Sequence, residues 1–228
     1  VSEDLKYQCK YCRQQFKHES RFLKHYCKEM QRDEDFKSLE GQAAHLFYKS
    51  WMKKKHHAVI TNPEAFKNSH YFNSFLKFVN FIFKVQIPDT KSYIELMVEK
   101  NITPNLWTQD VVYGKYLEYI TRKLPTERLI EITVKTLYDI VDMAEVDVSD
   151  VFDVVVPNDI IQLLQQRRVS PWILLNSKKF IAFFLETTTK EERVILESLI
   201  NPDYWKTRFK SHKSDHKLAL ECVKALNI

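Results

Sequence analysis

The stretch HYFNSFLKFVNFIFK, residues 70–84, decides what kind of protein this is. Tyr71, Phe72, Phe75, Leu76, Phe78, Val79, Phe81, Ile82 and Phe83 crowd it with apolar surface on nearly every side of a 3.6-residue repeat. That pattern predicts a central, buried helix rather than an amphipathic surface one. Outward from it the same grammar recurs. A helix over Tyr93–Lys100 follows Pro88, and Thr108 caps another that runs to about Lys123 and stops at Pro125. Thr126–Ala144 spaces Leu129, Ile130, Val134, Leu137, Ile140 and Val141 at helical intervals. Further helices are predicted over 158–168, 171–185, 190–200, 202–209 and 215–226. Thr188 with Glu191, or Thr189 with Glu192, forms a capping box before Val194. Val146–Val156 alternates weakly and reads as strand, loop or short helix. The expectation is a mainly α protein whose body is built from roughly eight to ten short helices.

Composition agrees. The 228 residues are 44% hydrophobic and 13% aromatic, ample material for a core and unlike a disordered chain. Only 2 glycines occur. Phosphate-cradling loops, primed hairpins and doubly wound sheets lean on glycine at positive φ, so those architectures are disfavoured. Neither a G-x-G-x-x-G nor a P-loop is present, and no apolar run reaches the roughly 18 residues of a membrane span. Four cysteines, three of them within the first 27 residues, do not read as a secreted disulfide framework. With no signal-peptide pattern at the start, a reducing, cytoplasmic setting and no membrane partner are expected.

Charge is distributed unevenly. The formal net charge is +5, and residues 1–60, with 13 Lys and Arg against 8 Asp and Glu, hold all of it. Lys6, Lys10, Arg13, Lys17, Arg21, Lys24 and Lys28 face Glu19 alone over 6–28. A second cluster joins Lys49, Lys53, Lys54 and Lys55 to His56 and His57; a third, Lys206 to Lys217, contains one acid, Asp215. Asp139, Asp142, Glu145, Asp147, Asp150 and Asp153 form an acidic stretch without a base, a surface suited to a protein partner. Taken singly, such runs are as readily solvated faces as binding sites.

The first basic run coincides with a spacing that carries chemistry. Residues 7–27 read YQCKYCRQQFKHESRFLKHYC: Cys9 and Cys12 form C-x2-C, and twelve residues separate Cys12 from His25. This resembles the two-cysteine, two-histidine zinc finger, in which a hairpin carries two thiolates and a helix brings up an imidazole. The resemblance implies a mini-core of Tyr7, Phe16 and Phe22, and folding driven by the metal. The fourth ligand departs from the family. No histidine stands one turn beyond His25; Cys27 follows instead, at H-x-C spacing. Residues two apart point away from each other on a helix but share a side in extended chain. The helix should therefore end near His25, leaving Cys27 to close a Cys3His set, with His18 as the competing ligand. A closed site of this kind predicts one structural zinc ion without an open position for catalysis. Transferring the finger register starts the helix at Glu19 and puts His18, Arg21 and Lys24, with Ser20 beside them, where a finger reads bases.

The expected organisation is a zinc-finger module over 1–30, a basic helical linker over 31–62 and an all-α domain over 63–228. The knuckle joined to a helical body, together with RVSPWILLNS at 168–177 and INPDYWKTRF at 200–209, is similar to a family of largely uncharacterised proteins of large tailed bacteriophages. That resemblance implies expression in the host-cell cytoplasm and supplies no settled activity. Physically, Ser170-Pro171-Trp172 and Asn201-Pro202 are helix starts, and Trp172 and Trp205 are expected in the core. Cys222, on an amphipathic helix, is expected there too. No catalytic constellation stands out: His56-His57, Asp139/Asp142 and Glu191/Glu192 are explained by helix ends, surfaces and caps. The sequence predicts a non-enzymatic accessory protein that binds nucleic acid, DNA ahead of RNA, through Lys10, Arg13, Lys17, His18, Ser20, Arg21, Lys24, Lys28, Lys53, Lys54 and Lys55, without a small-molecule substrate. A protein-interaction adaptor or virion component, docking by the knuckle or the acidic 139–153 segment, is the alternative.

Overall fold

Local hydrogen bonds set the element boundaries in the computed structural model, which describes residues 6–228. Two short strands, β1 (Tyr7–Gln8) and β2 (Gln15–Phe16), pair antiparallel with Tyr7 opposite Phe16. Everything after them is helical or connecting chain: α1 (Glu19–Leu23), α2 (Lys28–Lys37), α3 (Leu39–His56), α4 (Pro63–Lys67), α5 (Phe72–Val85) and α6 (Thr90–Glu99). A 3-10 turn at Pro104–Leu106 precedes α7 (Asp110–Lys123) and α8 (Thr126–Ala144). Then come α9 (Val151–Val154), α10 (Pro157–Gln165), α11 (Pro171–Leu174), α12 (Lys178–Thr187), α13 (Lys190–Ile200), α14 (Pro202–Ser211) and α15 (Lys213–Leu226). The protein is thus a small β-hairpin followed by an all-α body. Among the described residues no helix is long and apolar enough to cross a membrane.

The chain divides into two units. The first comprises the described residues up to Lys84 together with Lys91–Gln109, and its core is aromatic. Phe66 packs against Phe72 at 4.9 Å and Tyr48 at 5.1 Å between ring centres, while Phe75 and Phe78 meet Trp107 edge-on at 5.4 and 5.0 Å. Polar ends of this core are satisfied: Trp107 Nε1 donates to the Ile102 carbonyl at 3.0 Å, and the Tyr93 hydroxyl donates to the Trp107 carbonyl. The expectation of a helix buried all round is corrected here. In α5, Phe72, Phe75, Phe78 and Val79 are buried, but Phe83 is exposed, so the helix packs one face.

The second unit comprises Val85–Thr90 and Asp110–Ile228. Asp89 is buried and receives Arg128 Nε at 2.8 Å, and its backbone exchanges hydrogen bonds with the Tyr116 hydroxyl. Trp172, Trp205 and Cys222 are buried, and Trp172 packs against Trp205 and Phe209. Helices α8 and α13 have the predicted limits, and Thr189 with Glu192 forms the capping box at 3.2 and 2.8 Å. The weakly alternating 146–156 segment is a 3-10 turn leading into the single-turn α9. The helix expected over 171–185 is two helices. Ser177 interrupts it by capping the Phe180 N–H at 2.9 Å, while Asn176 Nδ2 binds the Trp172 carbonyl at 2.8 Å.

Candidate metal centre

Four side chains converge at the amino end of the first unit. The turn between β1 and β2 brings Cys9 and Cys12 together: Arg13 N–H donates to the Cys9 carbonyl and Cys9 N–H to the Gln14 carbonyl, both at 2.9 Å. Arg13 closes this turn in the left-handed region, at φ 61°, where glycine would be expected. Helix α1 begins at Glu19, as the finger register requires, and ends at Leu23 with Lys24 as its cap. His25 is thereby delivered just beyond the helix. Cys27 has extended backbone (φ −101°, ψ 164°) and opens the next helix, so the predicted break between His25 and Cys27 is present.

The ligand atoms of Cys9, Cys12, His25 and Cys27 all lie within 4.8 Å of one another. Two edges of this group are Cys9 Sγ to Cys27 Sγ at 3.9 Å and Cys12 Sγ to His25 Nε2 at 3.2 Å. Metal–sulfur bonds of about 2.3 Å give a tetrahedron with edges of about 3.8 Å, so the group has the size of a four-coordinate ion's cage. His18 stands outside it, exposed at the start of α1 with no side-chain capping bond, and is set aside as fourth ligand.

The thiols differ in acidity. Cys9 is held down to about 6, first by the backbone N–H of Cys12, against a burial that pushes the other way. Cys27 is pushed up, chiefly by burial, with the Met30 N–H opposing. That N–H donates to Cys27 Sγ at 3.4 Å, giving Cys27 a second role as the N-cap of α2 that sequence spacing did not reveal. Cysteine is rarely an N-cap; only the C-x-x-M run before a polar helical stretch hints at it. Around the cage, Phe22 packs against Tyr7 at 5.8 Å and Phe16 at 6.0 Å, and Phe16 lies 4.8 Å from the His25 ring. The mini-core is therefore made of the three expected aromatics. None of them is fully buried, and α1 has no buried residue.

Among the basic residues of the knuckle, Lys10, Arg13, Lys17, Arg21, Lys24 and Lys28 are exposed, as are His18 and Ser20. Of the three expected base readers Arg21 lies within α1, while His18 and Lys24 are its N-cap and C-cap. The second cluster is different. Lys54 is ion-paired with Glu95 at 2.7 Å and Lys55 donates to Asn101, which leaves Lys53 pointing to solvent at the end of α3. In the acidic stretch, Asp139 pairs with Lys135 at 2.6 Å and Asp150 with Lys179 at 3.8 Å.

No family model, curated protein or solved structure matches the chain.

Proposed function

We propose that the Cys3His cage holds one structural zinc ion and that the zinc-bound knuckle grips nucleic acid, DNA in preference to RNA, through its exposed cations. The observation that carries this reading is the coincidence of a closed four-ligand cage with the stretch that holds the chain's excess positive charge. Zinc suits the donor set: three sulfurs and one imidazole at tetrahedral spacing are borderline-soft ligands, and all four positions are taken by protein. When bound, the ion supplies rigidity rather than chemistry. Cys9, Cys12, His25 and Cys27 hold the hairpin and α1 in one register; Arg21 and Lys24 then reach phosphates or guanine edges, while Lys10, Arg13, Lys17 and Lys28 add phosphate neutralisation. A single finger spans about three base pairs, so sequence preference is slight. The role we propose is that of an accessory factor in replication, recombination or transcription.

Two measurements test it. Zinc content after gel filtration should be about one ion per chain, retained in His18→Ala and lost in Cys27→Ser. Fluorescence anisotropy on duplex DNA across a salt series should give log affinity falling linearly with log salt, and Arg21→Ala or Lys24→Ala should each shallow the slope by about one. Absence of binding to duplex and single strands at low salt sinks the nucleic-acid reading. One feature favours the adaptor alternative: Leu23, at the end of α1, is 73% exposed. A knuckle that binds protein would be disabled by Leu23→Ser and indifferent to Arg21→Ala.

A further inference from the structure

The first unit carries a cleft of about 570 Å³, open to solvent, that the knuckle does not use. One wall is α3, through Trp51 and His56; the other is the link from α4 into α5, through Asn68, Ser69, His70 and Tyr71. Its rings form a continuous set. Trp51 meets His56 and Tyr71 edge-on, each at 5.0 Å, and the His70 ring lies 3.8 Å from that of Tyr71. His56 and His70 are exposed and Tyr71 is partly so, whereas Trp51 is buried. Accessible rings packed on a buried one offer a flat ligand a preformed surface, at little cost in ordering.

Charge narrows what that ligand is. No aspartate or glutamate lines the cleft. Tyr48, Met52 and His56 recur at four-residue intervals along the α3 wall. Lys49 and Lys53 keep the same interval one residue on, so they run beside that wall. Both lysines are exposed, and neither has an ion-pair or hydrogen-bond partner among the described residues. Lys54 and Lys55, by contrast, are taken by Glu95 and Asn101. Aromatic clefts also receive cations on their ring faces, but the lysines here would repel one. A ligand that is flat against the rings and anionic beside the lysines is a nucleotide. An open cleft suits one nucleotide of a strand, since free small molecules are held by enclosure.

We propose that the cleft holds an unpaired base of single-stranded DNA against His70 and Tyr71, with the adjoining phosphates on Lys49 and Lys53. Asn68, exposed on the same wall, supplies an amide for the base edge. A duplex keeps its base faces stacked inside, so this cleft favours single strands where the knuckle accepts either. The site lies on α3 and the start of α5, and shares with the proposed role of the knuckle only the class of ligand.

Fluorescence anisotropy of the full, zinc-loaded chain tests this with three labelled probes: a thymidine strand, an abasic strand of equal length and charge, and a duplex. The thymidine strand should bind about tenfold tighter than the abasic one, as stacking of one base on an aromatic ring gives. That difference should vanish in Tyr71→Ala and shrink in His70→Ala, with duplex affinity unchanged in both. Lys53→Ala should shallow the log–log salt slope on the thymidine strand by about 0.7, one phosphate's share. Equal binding of the two single strands by the parent overturns the proposal, as does a difference that survives in the folded Tyr71→Ala and His70→Ala chains. Should Tyr71→Ala fail to fold because its ring supports Trp51, the exposed His70 decides alone. If instead the knuckle is no nucleic-acid grip, Arg21→Ala and Lys24→Ala leave every probe's binding unchanged, while the thymidine preference and its loss in Tyr71→Ala persist.

Discussion

At the scale of single residues, the two glycines have opposite meanings. A Cβ on Gly41 would stand 2.0 Å from the Asp35 carbonyl oxygen and 2.6 Å from Phe36 Cα, both backbone atoms. Gly41 therefore lets the start of α3 close onto the end of α2, and its N–H is taken by Ser38 Oγ at 3.0 Å. Gly41→Ala must push backbone apart and should cost about 1–3 kcal/mol of stability, the range of core overpacking. Around Gly114 a Cβ would meet nothing within 4 Å, and the residue lies inside α7. Gly114→Ala should stabilise by about 0.5–1 kcal/mol, because alanine gives up less backbone entropy in a helix. Urea denaturation of both variants checks the pair, and equal signs would contradict the packing around Gly41. Glycine scarcity also misleads in one respect. It argues against tight left-handed turns, yet Arg13, His57, Glu145, Asn201 and Asn227 all take positive φ at the hairpin or at helix ends. Steric preference is weak enough for tertiary structure to overrule it, and side-chain identity alone does not announce where.

At the scale of elements, α3 presents a histidine to an apolar place. His45 stacks on Phe66 at 5.5 Å and meets Phe36 edge-on at 5.5 Å, with Nε2 buried and unpartnered. Burial, and secondarily Lys49, pushes its pKa below the usual 6.5. The folded form then binds fewer protons than the unfolded chain between 6.5 and the lower folded value, so stability falls as pH drops through that window. His45→Phe keeps the aromatic stack without the titration. Its urea midpoint should decline less than the parent's between pH 7 and pH 5; parallel declines would refute the assignment. Asp33 works at the acid end. Lys37 and Lys67, at 2.7 and 2.9 Å, hold its carboxyl down to about 2, in that order of importance, so its contribution is complete above about 4 and vanishes as pH falls toward 2. Elements were legible where both ends carried a chemical stop. Pro125 and the Thr189–Glu192 box bound α8 and α13 at the predicted residues. They were illegible where a polar residue turned inward: Asn176 and Ser177 split an apolar run whose periodicity continues across the break. The candidate metal site was legible too, because C-x2-C, His25 and Cys27 are constrained by ligand geometry rather than by propensity. The cavity of about 420 Å³ in the second unit was invisible for the converse reason. Its wall draws on α7, α8, α11 with the connection before it, α13 and α14, which no local pattern links.

At the scale of the whole molecule, the question is how unequally the chain depends on a bound ion. Both units have cores of fully buried side chains: Phe66, Phe72, Phe75 and Trp107 in one, Trp172, Leu174 and Leu196 in the other. The knuckle has nothing comparable. Its sheet is two residues per strand, and apart from Cys9 every described residue from Lys6 to Cys27 is at least partly exposed. A segment with so little apolar burial cannot offset its own conformational entropy, on the order of 1–2 kcal/mol per residue, so ligand–metal bonds must supply the difference. Chelation should therefore act locally. With excess EDTA, amide hydrogen exchange over residues 7–27 should rise to that of unfolded chain, while α5, α8 and α13 retain their protection and far-ultraviolet dichroism changes by only a few per cent. DNA binding, if it resides where the positive charge is concentrated, should disappear in the same titration and return when zinc is restored, whereas magnesium should restore nothing because it does not take sulfur ligands. Knuckle protection that survives complete removal of the metal would mean that Tyr7, Phe16 and Phe22 suffice to fold it. The closeness of the three thiols and His25 would then have to be explained without an ion.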